Sequence, residues 1–215
     1  IEDHFARHPE IAAEVIAPPL VIVGLPRTGT TKLHRLLARD PRFWWMSFWE
    51  SQFPVPFPNE TLEKPEARIA AGHEIVAMMT QAMPKLLAIH PMDADEPDEE
   101  VMLTEHSFMS AFNAYANIPG YNAWLDRQDQ TPVYEYLKRM LRFLQWQKRQ
   151  RGITGQRWVL KAPHHLLRRD ILLRVFPGVQ VIQTHRDPAQ SIPSIASFIH
   201  TLWSIYSNDA DPKAA

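Results

Sequence analysis

A three-layer α/β fold, with a central and mostly parallel sheet flanked by helices, is predicted by three observations. Short apolar runs at positions 20–23 and 158–160 have the pattern of strands buried on both faces, and residues 179–185 read as a further strand. Each run gives way to a turn and then to a stretch with helical periodicity, the connection that parallel strands require. The 215 residues, 45% of them hydrophobic, suffice for one domain with a substantial core.

Residues 1–15 read as a short amphipathic helix, stopped by Pro18-Pro19 before the first strand. Strand 20–23 feeds a turn from Gly24 to Gly29, and a helix opens near Thr30 and Thr31. Leu33, Leu36 and Leu37 share one face of that helix. Strand, glycine-bearing turn and helix in this order make an anion cradle. The unpaired N–H groups of the first helical turn point at the ligand, and the helix dipole favours negative charge. Asp40-Pro41 then breaks the chain, and the aromatics of residues 42–47 suit a second strand. Glu50 follows that strand. Ligands of open α/β sheets bind outside the carboxyl ends of the strands, so Glu50 is expected to face the cradle.

Residues 53–58 alternate aromatic or valine with proline, a stiffened loop. A long helix is expected over 66–89, with Ile69, Ile75, Val76, Met79 and Met83 as its apolar positions and a kink at Pro84. Six of the eight residues from Asp93 to Glu100 are acidic, directly after His90-Pro91. They lack the glycine-turned spacing of a calcium loop and suit an acidic helix N-terminus. Residues 101–116 read as an aromatic-rich helix. Residues 131–150 form the clearest helix, with Val133, Leu137, Met140, Leu141 and Leu144 in one stripe. Its Lys138, Arg139, Arg142, Lys148 and Arg149 read as a solvated face. Strand 158–160 ends at Lys161, and Ala162-Pro163 breaks it before a helix over 164–176. Strand 179–185 closes at Arg186-Asp187-Pro188, and Pro188 suits the first turn of a helix carrying Ser191, Ser194 and Phe198.

Composition excludes several classes. A net charge of −1 leaves no basic footprint for nucleic acid. The chain has no cysteine, hence no disulfide or thiolate–zinc site, which suits a reducing, cytoplasmic setting. No apolar run is long enough to cross a bilayer, and the first residues do not read as a signal peptide.

The cradle has the glycine spacing of the nucleotide-triphosphate loop, GxxxxGK followed by serine or threonine, in Gly24 and Gly29, with Thr31 at the hydroxyl position. Thr30, however, occupies the lysine position, and the cation sits earlier, at Arg27. Without that lysine the β and γ phosphates lose their cation, which argues against an ordinary ATPase or kinase. The segment Pro26-Arg27-Thr28-Gly29-Thr30-Thr31 resembles the loop by which sulfotransferases hold the 5′-phosphosulfate of 3′-phosphoadenosine 5′-phosphosulfate (PAPS). Leu160-Lys161-Ala162-Pro163 resembles the family segment whose lysine contacts the transferring group. Arg186 and Ser194, eight positions apart, are similar to the family's 3′-phosphate pair, with Ser191 a second candidate serine.

The resemblance implies a P-loop-like fold and sulfuryl transfer from PAPS, without a metal ion, to a hydroxyl or amine of a small-molecule, lipid or glycan acceptor. It implies Arg27, Thr28, Gly29, Thr30, Thr31, Arg186, Ser191 and Ser194 as donor-binding residues. It implies Lys161 and Arg27 as catalytic cations, and Glu50 as the general base, with His90 and Glu100, on the acidic segment expected near the acceptor pocket, as its rivals. Residues 1–215 are expected to form one such domain. Family members continue further, through a segment that helps cover the nucleotide, so the chain is expected to be a fragment or to have a more open site. A degenerate P-loop kinase or NTPase, or a non-catalytic nucleotide-binding protein, would use the same cradle. The acceptor and the oligomeric state are not encoded in any motif.

Overall fold

The computed structural model describes residues 1–84, 86 and 90–214. Its strands are β1 (Leu20–Val23), β2 (Phe43–Trp44), β3 (Arg157–Lys161) and β4 (Gln180–Gln183). They form one sheet of order β2-β3-β1-β4, parallel throughout. The helices among the described residues are α1 (Glu2–Arg7), α2 (Glu10–Ala13), α3 (Thr30–Leu37), α4 (Phe48–Gln52), α5 (Glu66–Ala82), α6 (Val101–Thr104), α7 (Pro119–Leu125), α8 (Thr131–Gln150), α9 (Arg169–Val175) and α10 (Pro188–Tyr206). The three-layer α/β prediction holds.

Alternation along β1 builds the layers. Val21 and Val23 face one side and join the main core with Leu137, Met140, Leu141 and Leu144 of α8 and with Leu172 of α9. Leu20 and Ile22 face the other side, with Val159, against Leu33 and Leu37 of α3. The period of two in the strand thus assigns one helix layer to each face.

Several elements differ from the sequence expectation. The N-terminal helix is split into α1 and α2 at His8-Pro9. The second strand is only two residues long. The helix expected over 66–89 is α5 to Ala82, and part of the remainder lies outside the described residues. Its buried positions are Arg68 and Gly72, not the apolar series. Arg68, 1% exposed, is bonded to Glu60, to the Phe53 carbonyl at 3.2 Å and to Gln147 at 3.0 Å. Gly72 lets α5 lie directly on α4, since a Cβ there would stand 2.5 Å from Trp49 Cβ. Gly72→Ala is therefore expected to destabilise the fold by about 1–3 kcal/mol, read as a lower urea midpoint, because two backbones must separate.

Instead of one helix, 101–116 holds α6 and two 3-10 turns, at Glu105–Ser107 and Phe112–Ala114. The hydroxyls of Thr104, Ser107 and Ser110 accept and donate locally, competing with helical bonding. Likewise the segment after β3 is a 3-10 turn, Pro163–Leu167, followed by α9. Lys148, assigned to a solvated face, is buried.

Candidate active site

The loop between β1 and α3 has the strand–turn–helix form its sequence predicts. Arg27 and Gly29 both take left-handed backbone angles, φ 68° and 90°, and Gly29 is the residue from which α3 starts. Alternating positive and negative φ turns successive N–H groups into one concavity. Gly24 has no room for a side chain, since a Cβ would lie 2.4 Å from Thr184 Oγ1. The Thr28 hydroxyl donates to the Leu25 carbonyl at 2.6 Å and lies 2.6 Å from the Thr184 hydroxyl. The Thr28 side chain therefore ties the loop back on itself and to Thr184.

Lys161 ends β3 beside β1, in register with Ile22, so parallel pairing brings it to the cradle. Its ammonium donates to Thr31 Oγ1 at 3.4 Å and is paired with Glu99. The Lys161 N–H donates to Glu100 Oε2 at 3.0 Å, Glu100 is bonded to His165, and His165 Nδ1 lies 2.9 Å from the Tyr134 hydroxyl. Burial favours the neutral acid of Glu100, but the His165 hydrogen bond and charge outweigh it and hold its carboxyl down at about 2. Glu100 is a buried fastening for the strand end.

The acidic run is stitched into the same place. Phe48 N–H donates to the Glu96 carbonyl at 3.2 Å, Trp49 N–H to the Ala94 carbonyl at 3.2 Å, and Asp98 N–H to the Met46 carbonyl at 2.9 Å. These bonds carry Asp98 and Glu99 to the cradle mouth, where Thr31, Arg35, His90, Asp98 and Lys161 line a small pocket. Burial, and after it the charge of Glu99, push the Asp98 carboxyl up to about 6. The His90 ring stacks on Phe198 of α10 at 5.4 Å between centroids, and burial lowers its pKa.

The third component comes from beyond β4. Arg27 Nε donates to Ser194 Oγ at 3.2 Å, and Arg186 Nη1 donates to the Arg27 carbonyl at 3.1 Å. Arg186 is exposed and also holds Gln190 Oε1 at 3.1 and 3.2 Å. Ser191 is 0% exposed, with its hydroxyl donated to the Asp187 carbonyl at 3.2 Å. Of the two candidate serines, Ser194 is the one brought to the loop, and Ser191 is corrected to a packing position.

Glu50 requires a second correction. Because β2 pairs only with Arg157 and Trp158, at the start of β3, the second strand stops about three residues, roughly 10 Å, short of Lys161. The chain then packs Glu50 against the C-terminal end of α8. Its oxygens accept from Lys148 at 2.7 Å and Arg151 at 2.5 Å, and from the Ser47 backbone at 3.0 Å in a capping box. It is 1% exposed. Burial alone would raise its pKa, but Lys148 and Arg151 prevail and hold it at about 2. A carboxylate so enclosed does not face the cradle as a base.

Residues 18–214 match the model of the sulfotransferase family. The chain belongs to that family. Among curated sulfotransferases it is 32% identical over 201 residues to omega-hydroxy-beta-dihydromenaquinone-9 sulfotransferase Stf3 of Mycobacterium bovis, with 91% of this chain and 49% of that one aligned. The Stf3 of Mycobacterium tuberculosis matches to the same extent. Two solved sulfotransferases share the fold. STF9 of Mycobacterium avium has a TM-score of 0.79 and 30% identity, covering 95% of this chain and 52% of its own. STF1 of Mycobacterium tuberculosis has 0.72 and 32%, covering 93% and 53%. The chain thus spans about half the length of the relatives it matches.

Of the residues expected from sequence, the structure gathers Arg27, Thr28, Gly29, Thr30, Thr31, Lys161, Arg186 and Ser194 at the carboxyl ends of β1, β3 and β4 and leaves Glu50 and Ser191 outside. Sequence reasoning passed over Asp98, Glu99 and Thr184. The signal for the acidic pair was the likeness of the His90-Pro91 and acidic segment to a family segment expected near the acceptor pocket. Among the described residues no group of histidine, aspartate and glutamate could hold a metal ion, and no helix is long and apolar enough to cross a membrane.

Proposed function

We propose that the chain carries the donor site and transfer chemistry of a PAPS-dependent sulfotransferase, acting on a hydroxyl-bearing acceptor. One observation supports this most. Arg27 and Ser194, 167 positions apart in sequence, are joined by a hydrogen bond, with Arg186 on the Arg27 carbonyl. A plain triphosphate loop has no use for a second cationic anion site pressed against it. A nucleotide with phosphates at both its 3′ and 5′ positions does.

In this reading the amides of Gly29, Thr30 and Thr31 bind the 5′-phosphosulfate at the start of α3. Arg186 and Ser194 bind the 3′-phosphate, and Arg27 stands between the two. Lys161, next to Thr31, meets the negative charge that grows on the bridging oxygen as the sulfuryl group departs. The name of Stf3 describes an acceptor with an omega-hydroxyl on a lipid quinone, which supports a lipid alcohol here as well. The cysteine-free composition supports a cytoplasmic setting.

Arg27→Ala is expected to weaken binding of 3′-phosphoadenosine 5′-phosphate about tenfold or more, the cost of a charge-assisted hydrogen bond. Arg186→Ala is expected to erase most of the preference for that nucleotide over 5′-AMP while weak AMP binding persists. Calorimetric titration checks both, and variants indistinguishable from the unaltered protein would refute the donor assignment.

A further inference from the structure

Removing Glu50 from the cradle, and fixing Glu100 beneath the strand, leaves the acceptor proton without an assigned destination. The geometry points to Glu99 as the catalytic base, held inactive by Lys161 until the donor arrives; this rests on the sulfuryl-transfer reading above.

Glu99 is paired directly with the ammonium of Lys161, and that ammonium is 3.4 Å from Thr31 Oγ1 at the start of α3. The carboxylate is thus within one side chain of where the sulfonate would lie. Its side chain keeps 20% of its exposure, against 4% for Lys161, 1% for Glu50 and 1% for Glu100. Of these three glutamates it alone combines access with the cradle. Tyr115 packs near Tyr206 of α10, with 6.2 Å between ring centroids, and its hydroxyl contacts Met102 Sδ. Burial, then Glu105, then Glu99 raise the Tyr115 pKa.

In the nucleotide-free protein the two charges neutralise each other, so neither is available. A bound phosphosulfate competes for the Lys161 ammonium. As Lys161 shifts toward the bridging oxygen, Glu99 is released with an uncompensated charge and accepts the proton of the acceptor hydroxyl. The acceptor oxygen forms its bond to sulfur. The bond from sulfur to the bridging oxygen breaks, and its electron pair stays on the 5′-phosphate, neutralised by Lys161. Protonated Glu99 then returns its proton to water. The donor therefore binds before the acceptor.

The test is Glu99→Gln, which keeps shape and removes charge, with Glu99→Asp as the conservative control. Affinity for 3′-phosphoadenosine 5′-phosphate is measured by calorimetry. Turnover is measured with radiolabelled PAPS and farnesol as a probe alcohol, counting released nucleotide so that transfer to water is included. Glu99→Gln should lower turnover by about a hundredfold or more yet bind the nucleotide several-fold more tightly, because Lys161 no longer has a competing anion. Glu99→Asp should recover part of the turnover. A merely structural ion pair predicts the opposite sign for binding, since its loss loosens Lys161. Equal or weaker nucleotide binding by Glu99→Gln overturns the proposal, as does turnover retained by it and lost in His90→Gln. An unaltered protein that fails to bind 3′-phosphoadenosine 5′-phosphate sinks the sulfuryl-transfer reading itself.

Discussion

Lys161→Ala should reduce sulfuryl turnover by about 10²–10³ at saturating donor, the cost of deleting one preorganised charge aimed at the leaving oxygen. The position of Lys161 is set by the fold. Parallel pairing aligns β3 with β1 so that the residue opposite Ile22 reaches the start of α3. Beneath it the Glu100 carboxylate, locked by His165 and Tyr134, holds the backbone of the same residue. The alanine variant keeps that backbone bond but leaves Glu99 without its buried ion-pair partner, so its unfolding midpoint should fall. Nucleotide affinity should fall as well, because in the proposed function Lys161 touches donor and transition state alike. Single-turnover kinetics beside an equilibrium titration separate the two effects. A variant with full turnover and reduced stability would make Lys161 a structural ion-pair partner and nothing more.

Glu50→Gln should cost stability alone. It leaves Lys148 and Arg151 buried beside an uncharged amide, and removing one partner of such a group costs about 3–5 kcal/mol. For a chain of this size that lowers the thermal midpoint by roughly 10 °C. Nucleotide affinity and turnover of the folded variant should match those of the unaltered protein. The loss should also depend on pH with a definite sign. The folded-state carboxyl of Glu50 sits at about 2, below its ordinary value of 4.5. Its contribution is therefore complete above about pH 4.5 and disappears as pH falls from there toward 2. The stability gap between Glu50→Gln and the unaltered protein should be full at pH 7 and close in acid. Turnover reduced by about 10²–10⁴ with no loss of stability would return Glu50 to the role of base.

The contrast between these two residues shows where the sequence was readable. β1, the loop and α3 follow from local chemistry. A β-branched run, two glycines at fixed spacing and a leucine stripe each act within a few residues, and nothing distant reverses them. Lys161 and Arg186 are legible for the same reason, since the first ends a strand that the sequence marks and the second follows one by three residues. Glu50 also follows a strand, but the length of β2 is decided by tertiary packing. An aromatic stretch that suits six strand residues pairs for only two, and the following turn enters α4 with Glu50 inside its capping box. α5 misled in another way. Its apolar periodicity is real, yet the buried line runs through Arg68 and Gly72, fixed by Glu60, Gln147 and the close approach of Trp49. The acidic run at 93–100 has no internal pattern that separates a solvated turn from a site. The resemblance places it near the acceptor pocket, and the backbone bonds from residues 48, 49 and 98 hold it at the cradle mouth.

The central claim is that the cradle and the Arg186–Ser194 pair together form a site for a nucleotide bearing both a 3′-phosphate and a 5′-phosphate. Isothermal titration of the unaltered protein with 3′-phosphoadenosine 5′-phosphate, 5′-AMP and ATP with magnesium measures this directly. The account predicts that the bisphosphate binds at least tenfold more tightly than either of the others, the worth of one charge-assisted contact to the extra phosphate. Equal affinity for the bisphosphate and 5′-AMP, or tighter binding of ATP with magnesium, would contradict it.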